Sequence, residues 1–445
     1  MKSYRALSSW FTLHRNVLTN ASSLLGTTLV SSVLGFAYWW LAARSFSLAS
    51  VGLASAAISA MMLLGTLAIL GFGTLLMGEL SRQPDKVASL ISTALTVAIV
   101  AGTGIGLLFG IAAPYVLKEF QPVGQSPLSI LLFGCGTGLT ALGLVLDQTV
   151  IGLLRGQLQF WRNLVFSGSK LLVLFAIGLW IVDRDWWVIY AAWAAGNLVS
   201  FVVLLGITTS SGVRLIQYKP RWATLRALAG EALRHHGLNL ALQTPIFGLP
   251  VLVTALLSAS TNAYFYVAWM MASLVFAGPV ALTTTLYAAN AADTTTLARR
   301  LRLTLGLSLM LGLLANAVLV IAAGPVLNLF GSHYAEQATT SLRILAFGVF
   351  PFIVKYHYVA LRRIYNEVSH ASTLVALGAC LELGLAAAGG LAGGLWALCV
   401  GWTLAVWIEA FILARPVLKA LSGPPRVARP QEQPESRRFN VETKG

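Results

Sequence analysis

Apolar residues occur along the chain in long runs, and short polar segments between the runs carry most of the charges. Twelve runs approach the roughly 20 apolar residues that one membrane-spanning helix requires. They lie near 20–43, 51–78, 88–112, 127–151, 164–182, 187–209, 237–258, 263–290, 301–324, 341–361, 371–390 and 393–414. Because unpaired backbone groups are costly in lipid, runs of this kind predict helices rather than open strands.

The composition excludes a soluble protein. Of the 445 residues, 57% are apolar and 10% are charged, whereas soluble domains carry roughly 25% charged residues. The mean hydropathy is +0.78, and no polar stretch is long enough for a separate soluble domain. The sequence therefore predicts an all-α integral membrane protein with twelve transmembrane helices.

Lys and Arg residues cluster in alternate loops. Twenty-four of them fall on the side that carries both termini, against Arg44, Lys118 and Arg184 on the other side. Cytoplasmic loops are enriched in Lys and Arg, so we predict that both termini are cytoplasmic. The same bias accounts for the net charge of +15, and we expect no nucleic-acid partner.

A basic segment in the middle divides the chain into two sets of six helices. We predict an interfacial N-terminus (1–19), a first six-helix bundle (20–209), a cytoplasmic basic linker (210–236), a second bundle (237–414) and a disordered cytoplasmic tail (415–445). Pro114 and Pro325 precede the fourth helix of each half. This correspondence indicates a duplication whose two halves have the same membrane orientation.

Three stretches together resemble one family: LAARSFSLASVGLASAAISAMMLLGTLAILGFGTLLMGELSR, YFYVAWMMASLVFAGPVALTTTLYAANA and GPVLNLFGSHYAEQATTSLRILAFGVFP. They are similar to the polysaccharide and O-antigen flippases of the multidrug/oligosaccharidyl-lipid/polysaccharide exporter superfamily. The resemblance covers roughly residues 15–415. The chain departs from the family in the first helix, which has no Arg at its middle.

The resemblance implies two six-helix bundles around a central cavity. It also implies translocation of a polyprenyl-pyrophosphate-linked oligosaccharide across the bacterial inner membrane by alternating access, for lipopolysaccharide or exopolysaccharide synthesis. The expected partners are this cargo, membrane lipids, and a polysaccharide polymerase with other synthesis proteins. No Walker loop, G-x-S-x-G or H-E-x-x-H motif occurs, so we expect no enzymatic activity, no cofactor and no metal.

Pyrophosphate favours Lys or Arg in a region of low dielectric, so basic residues within the membrane are the first candidates. Lys170 lies on the fifth helix about 12 Å from the inner loop, and Asp147 lies at a similar depth on the fourth. We expect the two to pair. They serve either as a structural ion pair or as a cavity lysine held in position by the aspartate.

A second candidate group lies on the tenth helix. Lys355, Tyr358 and Arg362 share one helical face, next to a bend expected at Pro351. We predict that they form a basic ladder lining the cavity. The alternative is that Lys355 only extends to the membrane interface.

Polar stripes are candidates for contacts with a glycan. Asn20, Ser23 and Thr27 share one face of the first helix, although close packing through small residues explains them equally well. The seventh helix is the counterpart of the first helix in the second half. It carries Asn239 and Gln243.

Prolines and acidic residues complete the candidates. Pro245 and Pro250 predict a bent or broken seventh helix. Glu382, in the middle of the eleventh helix, is a candidate for ion coupling, with a protonated and hydrogen-bonded glutamate as the alternative. Glu409, near the inner end of the twelfth helix, is expected to meet water or Arg415.

Three rival functions remain open. A drug/cation antiporter of the same superfamily would require acidic cavity residues. A non-transporting subunit of a polysaccharide-synthesis complex would require no cavity charge. A polymerase or ligase would be expected to carry catalytic groups on a large outer loop, and the outer loops here are short.

Overall fold

The computed structural model describes residues 26–72, 76, 87–153, 155–180, 185–210, 222–290 and 294–422. Side chains are not described at 87–88, 179–180, 208–210 and 222–235. The predicted interfacial segment 1–19 lies outside the described residues, as do Asn20 and Ser23. Residues 211–221 of the predicted linker and the tail from 423 onward also lie outside them.

The described chain is helical. The helices are α1 (26–45), α2 (Leu48–Ala68), α3 (Val87–Val116), α4 (Gln121–Gly124), α5 (Pro127–Gly152), α6 (Gly156–Trp180), α7 (Trp186–Ser210), α8 (Trp222–Leu256), α9 (Ala259–Asn290), α10 (Leu297–Asn328), α11 (Ser332–Ala346), α12 (Val349–Ile364) and α13 (Val368–Leu421). The predicted all-α class is confirmed.

Within the described residues, nine helices are long and apolar enough to cross a membrane. The pair α11–α12 is bent by 42° at its break and forms a tenth candidate span. The long helix α13 contains non-helical backbone at Gly393 and Gly394 and folds back there, so it supplies two spans. Together with α1, the fold has the twelve transmembrane helices predicted.

The fold-back in α13 depends on glycine. Gly394 has φ of +71°, a left-handed conformation that favours glycine. We call 368–392 the first arm and 395–421 the second arm. A Cβ at Gly389 would lie 2.2 Å from the Ala397 carbonyl oxygen, and one at Gly401 would lie 2.1 Å from that of Leu385. The two arms therefore pack backbone against backbone as an antiparallel pair.

Helix α8 is longer than the predicted seventh helix. It begins at Trp222, inside the predicted linker, and it continues through Pro245 and Pro250 as one helix. Pro250 has no N–H and leaves the Ile246 carbonyl without its usual partner. The indole N–H of Trp269 donates to that carbonyl at 3.1 Å, so the orphaned group is satisfied across the helix interface.

The helices form two bundles, α1–α7 and α8–α13. In the first bundle α3 packs on α5 and α6 packs on α7, and in the second α8 and α12 pack on α13. The bundles meet chiefly through α2, which packs against both α8 and α9. The predicted arrangement of two six-helix bundles is therefore confirmed.

Candidate functional site

A cavity of about 380 Å³ lies between the two bundles. It lies near the membrane end that carries Arg155, Arg300 and Arg363, which we call the basic end. Both bundles contribute to its wall: Thr66, Ile69, Leu144, Gln148, Asn239, Leu242, Gln243, Val280, Thr283, Thr284, Tyr287, Tyr356, Val359, Ala360 and Arg363. We call it the basic-end cavity. It confirms the predicted cavity between the bundles.

The opposite membrane end is closed where α2 meets α9. The Asn262 amide donates to the Gly52 carbonyl at 2.9 Å and to the Ser55 hydroxyl at 3.0 Å. A Cβ at Gly52 would lie only 1.6 Å from the Ala259 carbonyl oxygen. Glycine at position 52 is therefore required for this approach.

Further contacts cross between the bundles at the same end. Trp40 and Arg44 of α1 donate to the Leu329 carbonyl at 2.9 and 3.0 Å. The Glu119 carboxylate accepts from the Ala259 backbone N–H at 2.9 Å. Described residues of the two bundles are thus in direct contact at the end opposite the cavity.

Arg363 is the charged residue in the described wall of the basic-end cavity, which includes no Asp, Glu or Lys. Its guanidinium donates to the Asn239 side-chain oxygen at 2.9 Å. Arg363 also lies within electrostatic range of Tyr287 and Tyr356. With Gln148 across the cavity, these groups offer hydrogen-bond donors and one positive charge, a combination suited to an anionic and hydroxylated ligand.

The basic ladder predicted on α12 does not line this cavity. Lys355 and Tyr358 are buried, and Arg362 pairs with Glu367. The residues that reach the cavity are Tyr356, Val359, Ala360 and Arg363. This face is displaced by one residue, about 100° of helix rotation, from the predicted one.

Lys355 forms a buried charge triad with two glutamates. Its ammonium donates to Glu382 Oε1 at 2.7 Å and to Glu409 Oε2 at 2.9 Å. The indole N–H of Trp402 donates to Glu382 Oε2 at 2.7 Å. Relative exposure is 3% for Lys355, 0% for Glu382 and 4% for Glu409. The expectation that Glu409 meets water or Arg415 was therefore wrong.

The predicted pair between Asp147 and Lys170 is also absent. Asp147 is bonded by Arg162, whose Nε lies 2.7 Å from Oδ1, and by the Asn163 amide at 3.4 Å. Lys170 instead lies among aromatic rings, 3.5 Å from the Trp193 ring centroid and 4.6 Å from that of Phe166. The two side chains therefore have separate partners and do not form the expected pair.

The remaining predicted site residues fall at several places. Asn239 and Gln243 line the basic-end cavity. Thr27 is half-buried on α1. The neighbouring Thr28 lines a second cavity of about 310 Å³ with Trp269, Phe276 and Phe352. Tyr356 contributes to both cavities.

Sequence reasoning missed Gln148, Tyr356 and Arg363 as cavity residues. The internal duplication could have identified two of them, since Gln148 and Tyr356 occupy equivalent positions of the two halves. Arg363 could not be distinguished from Arg362 on sequence alone. Within the described part of the chain, no cluster of three potential metal ligands occurs.

The fold is similar to that of solved transporters described as members of the MATE family or the MOP superfamily. No protein-family model matches the sequence, and no curated protein matches it either. The evidence for the fold is therefore structural similarity at low sequence identity.

Three solved structures illustrate this similarity. An inward-facing multidrug resistance MATE family transporter has a TM-score of 0.68 at 14% identity, over 89% of this chain and 98% of its own. The outward-facing form of a multidrug resistance MATE family transporter has a TM-score of 0.62 at 13% identity, over 92% and 95%. A MOP superfamily transporter from Pyrococcus furiosus, described as having a binding pocket of reverse polarity, has a TM-score of 0.65 at 14% identity, over 92% and 95%.

Proposed function

We propose that this protein transports a polyprenyl-pyrophosphate-linked oligosaccharide across the bacterial inner membrane by alternating access. The observation that carries the proposal is the basic-end cavity, whose described wall holds Arg363 and no carboxylate. A pyrophosphate is doubly suited to this site, because it carries negative charge and accepts hydrogen bonds from a guanidinium. The amide and hydroxyl groups of Asn239, Gln243 and Thr283 suit a sugar.

Alternating access accounts for the asymmetry between the two ends. The cavity lies at the basic end, while Gly52, Asn262 and Ala259 close the other end. Under the positive-inside rule the basic end is cytoplasmic, so the cavity would receive cargo from the cytoplasmic leaflet. Opening of the α2–α9 contact would then release it on the far side.

The main alternative is an antiporter for cationic drugs, which the fold also accommodates. Two similar structures are described as multidrug resistance transporters, and one MOP transporter is described as having reverse pocket polarity. The described cavity wall favours an anionic cargo, because a cation would meet Arg363 without a compensating carboxylate.

The test is deletion of the gene in its native host followed by mass spectrometry of polyprenyl-linked sugars. A membrane-impermeant glycan-modifying reagent would report the leaflet. We expect a complete repeat unit to accumulate facing the cytoplasm. Accumulation facing outward would indicate a polymerase or ligase, and unchanged lipid-linked sugars with altered drug tolerance would indicate the antiporter.

Adjacent arginines provide matched variants for complementation. We expect Arg363→Ala to lower export about 10-fold or more, since one charged hydrogen bond is worth roughly 1.5–3 kcal/mol, and Arg363→Lys to retain part of it. Arg362→Ala is the control, because Arg362 pairs with Glu367 outside the described cavity wall. Full export by a well-expressed Arg363→Ala protein would remove Arg363 from the binding site.

A further inference from the structure

The buried triad of Lys355, Glu382 and Glu409 carries more negative groups than positive ones. Three ionised members would leave one uncompensated negative charge in a region exposed by 4% or less. An uncompensated buried charge is costly, and a carboxyl group in such a place tends to take up a proton instead. One added positive charge would therefore bring the net charge of the triad to zero.

The hydrogen bonds identify the atom with spare capacity. Both oxygens of Glu382 have donors, Lys355 on Oε1 and Trp402 on Oε2. Glu409 accepts from Lys355 through Oε2, while its Oε1 is buried without any hydrogen-bond partner. Gly378 makes this position possible, because a Cβ there would lie 2.2 Å from Glu409 Oε1.

The geometry also selects the kind of cation. The Lys355 ammonium already occupies the space between the two carboxylates, at 2.7 and 2.9 Å. A metal ion would have to displace it to reach both glutamates. A proton requires no such displacement, because it can bind to the vacant side of Glu409.

The triad is connected to the basic-end cavity through Tyr356, which follows Lys355 on α12. Tyr356 lines the cavity and interacts electrostatically with Lys355, Glu382, Glu409 and Arg363. Within the described residues, the charged groups that act on Tyr356 are the three members of the triad and Arg363. A change of charge at the triad therefore changes the electrostatic potential at Tyr356, in the cavity wall.

We infer that the triad is a proton-binding site, in which one proton binds to Oε1 of Glu409 and is released again during the transport cycle. The added proton neutralises the triad and weakens the attraction between α12 and the second arm. Because α12 also carries Arg363, the proton would alter the cavity. This coupling role rests on the proposed transport function, whereas proton binding itself does not.

Infrared difference spectroscopy of the purified protein in liposomes, without cargo, tests proton binding directly. Spectra are compared between about pH 6 and pH 9, where ordinary Asp and Glu side chains are already ionised. We expect a carbonyl band of a buried carboxylic acid that disappears as the pH rises. We expect Glu409→Gln to lose this band and Glu367→Gln, a change at an exposed carboxylate on the same side of the protein, to keep it.

Lys355→Gln provides a second readout that a merely structural network would not give. Without the ammonium, the two carboxylates share a proton more tightly, so the band should persist to higher pH. Absence of any band in the wild-type protein would overturn the inference. So would a band that survives in Glu409→Gln, or one that Glu382→Gln removes instead. Because no cargo is present, these outcomes are independent of the cargo proposed above.

Discussion

Among the described residues, each bundle contains a buried ionic group, and the two groups differ in their charge balance. In the first bundle Asp147 meets Arg162 in a one-to-one pair, with the Asp147 side chain 19% exposed. In the second bundle Lys355 meets two glutamates, and all three side chains are at most 4% exposed. Asp147 and Lys355 occupy equivalent positions in the duplicated sequence.

Asp147 and Lys355 show that equivalent positions in the two halves need not have the same role. The first group is electrically neutral and both Asp147 oxygens have a donor, while Nη1 of Arg162 is buried without a hydrogen-bond partner. The second has surplus negative charge and a carboxyl oxygen without a partner. Equivalent positions in the two duplicated halves thus carry a neutral ion pair in one bundle and a cluster with surplus negative charge in the other.

Replacement of the positively charged residue should give the largest difference in stability between the two groups. We expect Lys355→Met to destabilise the protein by roughly 3–5 kcal/mol, because two buried carboxylates lose their shared partner. Arg162→Met should cost less, about 1–3 kcal/mol, since Asp147 is partly exposed and keeps Asn163. Thermal unfolding of both variants in one detergent checks the order. Equal losses, or a larger loss for Arg162→Met, would contradict it.

Exchange of the two charged residues within each group should restore stability in the first group and not in the second. Asp147→Arg and Arg162→Asp should each destabilise the protein, and the double variant should recover roughly 1–3 kcal/mol of coupling energy. The matching exchange of Lys355→Glu with Glu382→Lys should not recover, because the Trp402 N–H would then face an ammonium group. Unfolding midpoints of the two double-mutant cycles give the measurement. Equal recovery in both would mean that the triad is an ordinary ion pair.

The smallest expected effects on stability are those of substitutions at two glycines, one beside each ionic group. Gly378→Ala would place a Cβ 2.2 Å from Glu409 Oε1, whereas Gly143→Ala would place one 3.3 Å from Arg162 Nη1. Overpacking of the first kind costs about 1–3 kcal/mol, and we expect the second to cost less than about 1 kcal/mol. Unfolding midpoints check the difference. A neutral Gly378→Ala variant would show that the Glu409 carboxyl group is free to move.

The helical spans followed from composition because each must supply a nearly continuous apolar run. Which face of a span points inward did not follow, because lipid-facing and buried faces are both apolar. On α12 the residues that line the cavity lie one position after Lys355 and Arg362, at Tyr356 and Arg363. Asp147 and Lys170 likewise have separate partners, because their side chains take different directions.

The partner of Glu409 was missed for a different reason. This partner, Lys355, lies 54 positions earlier and meets Glu409 only because α13 folds back. No local pattern predicts such a contact. The closely spaced glycines at 389, 390, 393 and 394 were visible in the sequence, and they were the available signal that two backbones approach closely there.

The sharp turn at Gly393 and Gly394 has a mechanical consequence. It ties the two arms of α13 at one end, and their backbones touch at Gly389 and Gly401, so the arms have little freedom to slide past each other. Glu382 and Glu409 therefore lie on one rigid pair of helices. A change in the attraction between this helix pair and Lys355 would therefore move α12 relative to both arms together.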